Sequence, residues 1–185
     1  MIQDNSLGCI VTFSGICFRP LDPYSEDIKI DDIAHALAQQ CRFGGHSRTF
    51  YSIAQHSVLV SQLCRPEDVL WGLLHDASEA YLLDLVRPLK DLTEFRAYRA
   101  AESKLQRCIM EQFGMGPEQP ASVTAADDWV LAIEYRDLMT PARDQYIATP
   151  PSHITISVQE PWSPERAERE FLKTFGEGRH ILKCR

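Results

Sequence analysis

Three places in the chain set imidazole or carboxylate groups among apolar residues. His56 lies in SIAQHSVLV, between Ala54 and Val58. His75 and Asp76 follow Leu73-Leu74 in LLHDASEA, and Asp127 and Asp128 precede WVLAI. Such groups are costly to bury without partners, so several helices carry polar side chains toward what reads as one interior. Two neutral imidazoles and two carboxylates bear two negative charges, which balances a divalent cation. Mixed nitrogen and oxygen donors suit Mn, Fe, Co, Ni or Zn better than Ca. Four protein ligands leave room on an octahedral ion for a water and a phosphate oxygen, and a metal-bound water can attack phosphorus near neutral pH. Spacing alone leaves other readings open. A single histidine on an apolar face is more often a hydrogen-bonded core residue, and an Asp-Asp pair before an apolar run more often caps a helix. Adjacent helical residues such as His75 and Asp76 point about 100° apart, so they converge only on an ion near the helix edge.

The elements that must position these groups are mostly helices. Residues 8–18 (GCIVTFSGICF), β-branched and broken by Gly15, read as a short hairpin. RPLDPYSED is a loop punctuated by Pro20 and Pro23. Asp31 or Asp32 caps a helix over IAHALAQQ. CRFGGHSRTFY interrupts at Gly44 and Gly45. Helical character returns in SIAQHSVLVSQLC and stops at Arg65-Pro66, where Pro66 opens the next helix, EDVLWGLLHDASEAYLL. On that helix Glu79 stands four residues after His75, on the same face. LDLVRPLK reads as a helix end and turn, broken at Pro88. Residues 91–113 form a long amphipathic helix that stops at Gly114 and Gly116, and residues 122–139 form another, capped by Ser122 or Thr124. Residues 140–162 are proline-rich and extended, suited to wrapping, and contain His153, read as structural or exposed. Ser163-Pro164 opens a final helix, PERAEREFLKTF. The expectation is one all-α domain over 1–185, with a small hairpin and loop in 1–30, no internal repeat and no dividing linker.

Composition narrows the function classes. A chain of 185 residues, 44% hydrophobic and 24% charged, can bury a sizeable core in one domain. The net charge of -7 argues against a duplex nucleic-acid surface, which needs a basic stripe. It does not exclude a small anionic substrate held by a few convergent cations. No apolar run approaches the ~18 residues of a membrane span, and the start lacks the basic segment of a secretion signal. A cytoplasmic protein without membrane contact is expected. The six cysteines are irregularly spaced with no C-x-x-C pair, so they are expected to be buried or incidental thiols rather than disulfides.

YSIAQHS, LLHDASEAYLLDLVRPLK and AADDW, in this order and spacing, resemble the HD-domain phosphohydrolases over about Thr12 to Phe175. Within that superfamily the chain is most similar to bacterial and phage 5'-deoxynucleotidases and dATP triphosphohydrolases. The resemblance implies an HD-domain helical bundle with one divalent ion in its core: Mn, Co, Zn, Fe or Ni, with Mg also admitted. It places the ligands on His56, His75, Asp76 and Asp127. Asp127 is preferred to Asp128 because the family pattern is A-D before a helix, and Glu134 then stands seven residues on.

The resemblance also implies that Glu79 orients or deprotonates the attacking water, or protonates the leaving group. Asp84, in L-x-D-x-x-x-P-x-K, would bind the sugar or the water at the reacting phosphate. Arg42-Phe43 matches an Arg-aromatic pair of the related nucleotidases, with Arg42 gripping a phosphate and Phe43 stacking on base or sugar. Lys90, then Arg87, are further phosphate candidates. His46, after the glycine pair, could contact a phosphate or donate a proton.

The implied activity is metal-dependent hydrolysis of nucleotide phosphates by a 5'-nucleotidase acting on nucleoside monophosphates. The runner-up is a triphosphohydrolase that uses Arg19, Arg42, Arg48, Arg87 and Lys90. From other classes come a non-catalytic nucleotide-binding module and an HD-type cyclic-nucleotide phosphodiesterase, the latter disfavoured because six histidines are few for a second metal. Related proteins form dimers or larger rings, so a homo-oligomer is expected, mediated by residues 140–162 or the hairpin.

Overall fold

The computed structural model describes residues 8–141, 149–152, 154–158 and 160–183. Cys184, His153 and part of the 140–162 segment lie outside these residues. The chain is mainly helical, with a two-stranded antiparallel hairpin near its start: β1 (Ile10–Val11) pairs with β2 (Cys17–Phe18) in the register Ile10 to Phe18 and Val11 to Cys17. Gly15 turns the tip at a φ of 83°. The expectation of free thiols is wrong here. Folding the hairpin sets Cys9 and Cys17 5.5 Å apart at Cα, and they form a disulfide. Their spacing gave no sign of this because the strand register creates the proximity. Cys41, Cys64 and Cys108 are free thiols.

Helix α1 (Ile30–Gln39) buries Ile33, Ala34, Leu37 and Ala38, one apolar stripe. Neither expected cap operates, since Lys29 occupies the N-cap position without a side-chain bond. Asp32 instead accepts hydrogen bonds from the Ser14 N–H (2.6 Å) and hydroxyl (2.8 Å) at the hairpin tip. Helix α2 (Ile53–Leu63) is capped by Ser52, whose hydroxyl accepts from the Gln55 N–H at 3.1 Å. Every residue from Ile53 to Ser61 is buried, so α2 is the central helix. It packs against α3 (Val69–Leu74), α7 (Ala121–Leu138) and α8 (Pro164–Lys183).

The helix expected over 67–83 is broken. A 3-10 turn at Pro66–Asp68 leads into α3, which ends at Leu74, and α4 covers only Glu79–Leu82. Between them the backbone bonds reach back three residues, Ala77 to Leu74 and Glu79 to Asp76, both at 3.0 Å. Gln106 on α6 (Arg96–Gln112) takes up groups freed by the break: its amide donates to the Leu74 carbonyl (2.6 Å) and accepts from the Ser78 N–H (3.0 Å). Pro88 starts the one-turn helix α5 (Arg87–Lys90) rather than breaking a helix, since a proline loses nothing in a first turn.

Helix α7 has Pro120 at its N-cap. Ser122, expected as the cap, hydrogen-bonds Asp68 instead. Ser163 does lie at the start of α8, where its hydroxyl accepts from the Arg166 N–H. That helix runs past the expected end at Phe175, and Gly178 lies where a Cβ would stand 2.7 Å from Leu70. The described parts of 149–162 are neither helix nor strand.

Candidate metal centre

Helices α2 and α3 cross closely because Gly72 has no side chain. A Cβ there would stand 2.5 Å from Cys64 Sγ and 3.0 Å from Ser61 Cα. This crossing brings His56 of α2 against His75 at the end of α3, with the two Nε2 atoms 3.2 Å apart. Asp76 follows in the tight turn, and α7 adds Asp127. His56 Nε2 lies 3.6 Å from Asp76 Oδ2 and 3.2 Å from Asp127 Oδ1. His75 Nε2 lies 3.2 Å and 3.8 Å from the same two oxygens. Asp128 is exposed. The histidine side chains are 0% and 4% exposed and the aspartates 23% and 29%, so imidazoles floor the centre and carboxylates face its mouth.

The far side of each ring fixes its tautomer. His75 Nδ1 lies 2.8 Å from the Gly72 carbonyl, which only accepts, so Nδ1 carries the proton. His56 Nδ1 donates to Glu134 Oε1 at 2.7 Å. In the neutral rings both Nε2 atoms therefore present lone pairs toward each other and toward two carboxylate oxygens. Four electron-pair donors around one point require a positive charge among them. Burial favours neutral imidazole, yet Asp76 and Asp127 outweigh it and hold His75 up to about 9. Against the same burial, the histidines and Arg42 hold Asp76 far below the usual carboxylate range, and the histidines hold Asp127 at about 2. His56, His75 and Asp76 each offer a ligand atom within 4.8 Å of the others. Once the His75 proton is displaced, two lone-pair nitrogens, two ionised carboxylates and anchored outer nitrogens form a donor set that fits a divalent transition ion.

The other expected site residues divide into three groups. Glu79 and Lys90 come together, with Lys90 Nζ donating to Glu79 Oε1 (3.1 Å) and Glu102 Oε1 (2.7 Å). Glu79 is buried and its Oε2 has no hydrogen-bond partner among the described residues. Burial, with the charges of Asp76 and Asp84, pushes the Glu79 carboxyl well above its usual range against Lys90 and Arg42. Its closeness to the centre comes from the three-residue turn, since the continuous helix that would have put it on His75's face does not exist. Asp84 is half-buried and acts on Glu79 through its charge.

Arg42 does reach the centre. Its Nη1 lies 3.5 Å from Asp76, its Nη2 3.8 Å from Asp127, and its Nε donates to Glu134 at 3.1 Å. The 41–52 loop that carries it is closed at its base by the Cys41–Ser52 bridge and by the Arg42 N–H donating to the Tyr51 carbonyl at 2.8 Å. Phe43 beside it has a φ of 59°, which side-chain-bearing residues rarely adopt, and its ring meets Tyr135 edge-on at 5.5 Å.

His46 is exposed at the end of this loop and Arg87 is exposed on α5. Arg48 donates to the carbonyls of Leu138 and Asp137, a structural tie to α7. Sequence reasoning assigned no role to Glu134 or Tyr51. Glu134 is fully buried and accepts from His56, Arg42 and the Tyr51 hydroxyl (2.8 Å). The available signal was a glutamate inside the apolar run WVLAIEY, two helical turns from Asp127 on the same face. A cleft of about 310 Å³ beside the hairpin, lined by Phe13, His35 and Tyr81 among others, contains none of the four donors. Donor chemistry, not cleft size, therefore marks the centre.

No family model matches the chain. It is 38% identical over 181 residues to the uncharacterized protein YfdR of Escherichia coli (strain K12), covering 95% of this chain and 98% of that protein. An uncharacterized protein of Rhodobacter capsulatus is 35% identical over 115 residues, 57% of this chain and 58% of its own length.

Proposed function

The chain belongs to the same family as YfdR of Escherichia coli, and from the chemistry of its centre we propose that it is a metal-dependent phosphohydrolase of the HD-domain type acting on nucleoside 5'-monophosphates. The observation that carries the reading is the convergence of His56 Nε2, His75 Nε2, Asp76 Oδ2 and Asp127 Oδ1, with both imidazoles pinned through Nδ1 so that their lone pairs face inward. These residues would hold one divalent ion, which when bound polarises a phosphate oxygen and lowers the pKa of a water.

The protein's own groups supply the rest. The exposed edges of Asp76 and Asp127 leave the centre open toward solvent on one side. Glu79, whose carboxyl is pushed well above its usual range by burial and by the charges of Asp76 and Asp84, is suited to giving a proton to the departing nucleoside oxygen. Its Oε2, without a hydrogen-bond partner among the described residues, is the oxygen suited to do so. Lys90 holds Oε1 and fixes the carboxyl's orientation. The guanidinium of Arg42 faces the two ligand carboxylates and would lie beside a phosphate bound there. Phe43, held in its positive-φ turn, sets its ring 5.3 Å from the guanidinium carbon of that arginine.

The placement of the cations favours monophosphates over triphosphates. Of the five considered for a triphosphate, Arg48 is bound to α7, Lys90 is held between Glu79 and Glu102, and Arg19 and Arg87 are exposed. Only Arg42 addresses the centre with its charge turned to the ligand carboxylates. The test is a screen of dNMPs, NMPs and dNTPs with Mn, Co, Mg and Zn, reading phosphate and triphosphate separately. Release of inorganic phosphate from monophosphates is expected. Triphosphate release would replace the substrate class, and binding without turnover would reduce the protein to a nucleotide-binding module.

A further inference from the structure

Glu134 is the residue that touches both halves of the centre. Its Oε1 accepts from His56 Nδ1 (2.7 Å) and the Tyr51 hydroxyl (2.8 Å), and its Oε2 accepts from Arg42 Nε (3.1 Å). Glu134, His56 and Tyr51 are all fully buried, so water cannot substitute for any of these bonds. A carboxylate is the one side chain of this length that accepts at both ends. An amide would set an NH2 group against one of three converging donors. Burying that charge is costly, and a role confined to packing would be met by an apolar residue on this apolar helix.

We propose that Glu134 is a positioning residue that couples cation binding to phosphate binding. One oxygen holds His56 in the tautomer whose Nε2 lone pair faces the ion, and the other holds Arg42 with its terminal nitrogens over Asp76 and Asp127. This rests on the reading of the centre as a metal-dependent phosphohydrolase site. The coupling follows from shared geometry: α7 carries both Asp127 and Glu134, so a ligand, a ligand's outer anchor and the anchor of the arginine move as one body.

The test is calorimetric titration of wild-type protein and Glu134→Gln with Co or Zn, followed by titration of the metal-loaded proteins with inorganic phosphate. Glu134→Gln is expected to weaken metal affinity by roughly 10- to 100-fold, as loss of outer-shell partners does. It is also expected to weaken phosphate binding to the fully loaded protein. Unchanged metal affinity, or reduced metal affinity with phosphate binding intact, overturns the proposal. If the variant does not fold, nitrogen-15 NMR of the Zn-loaded wild-type protein decides. A His56 proton on Nδ1 is expected, and a proton on Nε2 overturns the proposal. Absence of metal binding by the wild-type protein would sink the functional reading and this inference together, which separates that failure from the others.

Discussion

Two parts of this molecule bury carboxylates, and they solve the problem in opposite ways. At the hairpin, Asp32 is 2% exposed, and its two oxygens accept from the Ser14 N–H and hydroxyl. Donors and acceptors balance within the chain, and nothing further is required. At the crossing of α2, α3 and α7, two carboxylates meet two imidazole Nε2 atoms, with Arg42 only at 3.5 Å and 3.8 Å from the aspartates. Acceptors outnumber donors there. Burial of polar groups therefore does not by itself mark a functional site. An excess of one kind of polar group, held in place by satisfied outer bonds, does.

That contrast can be broken at its strongest point first. Asp76→Ala removes one of the four donors, so cation binding and hydrolysis should fall to background while the fold persists. Metal titration and phosphate release check this, and wild-type turnover in the variant would remove the centre from the chemistry. Glu79→Gln should come next, lowering kcat by about 10²- to 10⁴-fold with metal affinity retained, as expected for loss of a general acid. A matching loss of metal affinity would make Glu79 part of the cation site instead.

The pH dependence is smaller and has a defined sign. With His75 held up to about 9, the metal-free centre carries a proton at neutral pH that the cation must displace. Affinity should rise roughly tenfold per pH unit for one displaced proton, levelling off above about 9. Calorimetry in two buffers of different ionisation heat measures the proton released, and an affinity independent of pH between 6 and 8 would contradict it. The smallest effect belongs to the hairpin. Ser14→Ala should cost about 1 kcal/mol of stability in chemical denaturation and leave cation affinity within about twofold. A large drop in affinity would mean that the two regions are not separate.

What could be read in the sequence follows from local rules. Helical periodicity, the Ser163 cap, the Gly15 turn and the polar residues in apolar runs all depend on neighbours a few positions apart, and they placed most of the helices, the hairpin and the polar candidates His56, His75, Asp76 and Asp127-Asp128, among which the family resemblance chose Asp127. Other features depended on residues distant along the chain. The helix over 67–83 breaks at His75 because Gln106, some thirty residues on, satisfies the freed backbone. Ser122 leaves its expected cap for Asp68, and Cys9 meets Cys17 only once the hairpin has a register. Glu134 shows the division most clearly. Its position in an apolar run was plain, but its three partners come from α2 and from the loop before it, and only their packing turns a costly buried charge into the anchor of the centre. Sequence set which chemistry was on offer, because that depends on residue type and short-range pattern. Tertiary structure decided which groups share a point in space, because convergence is a property of helix crossings such as the one at Gly72.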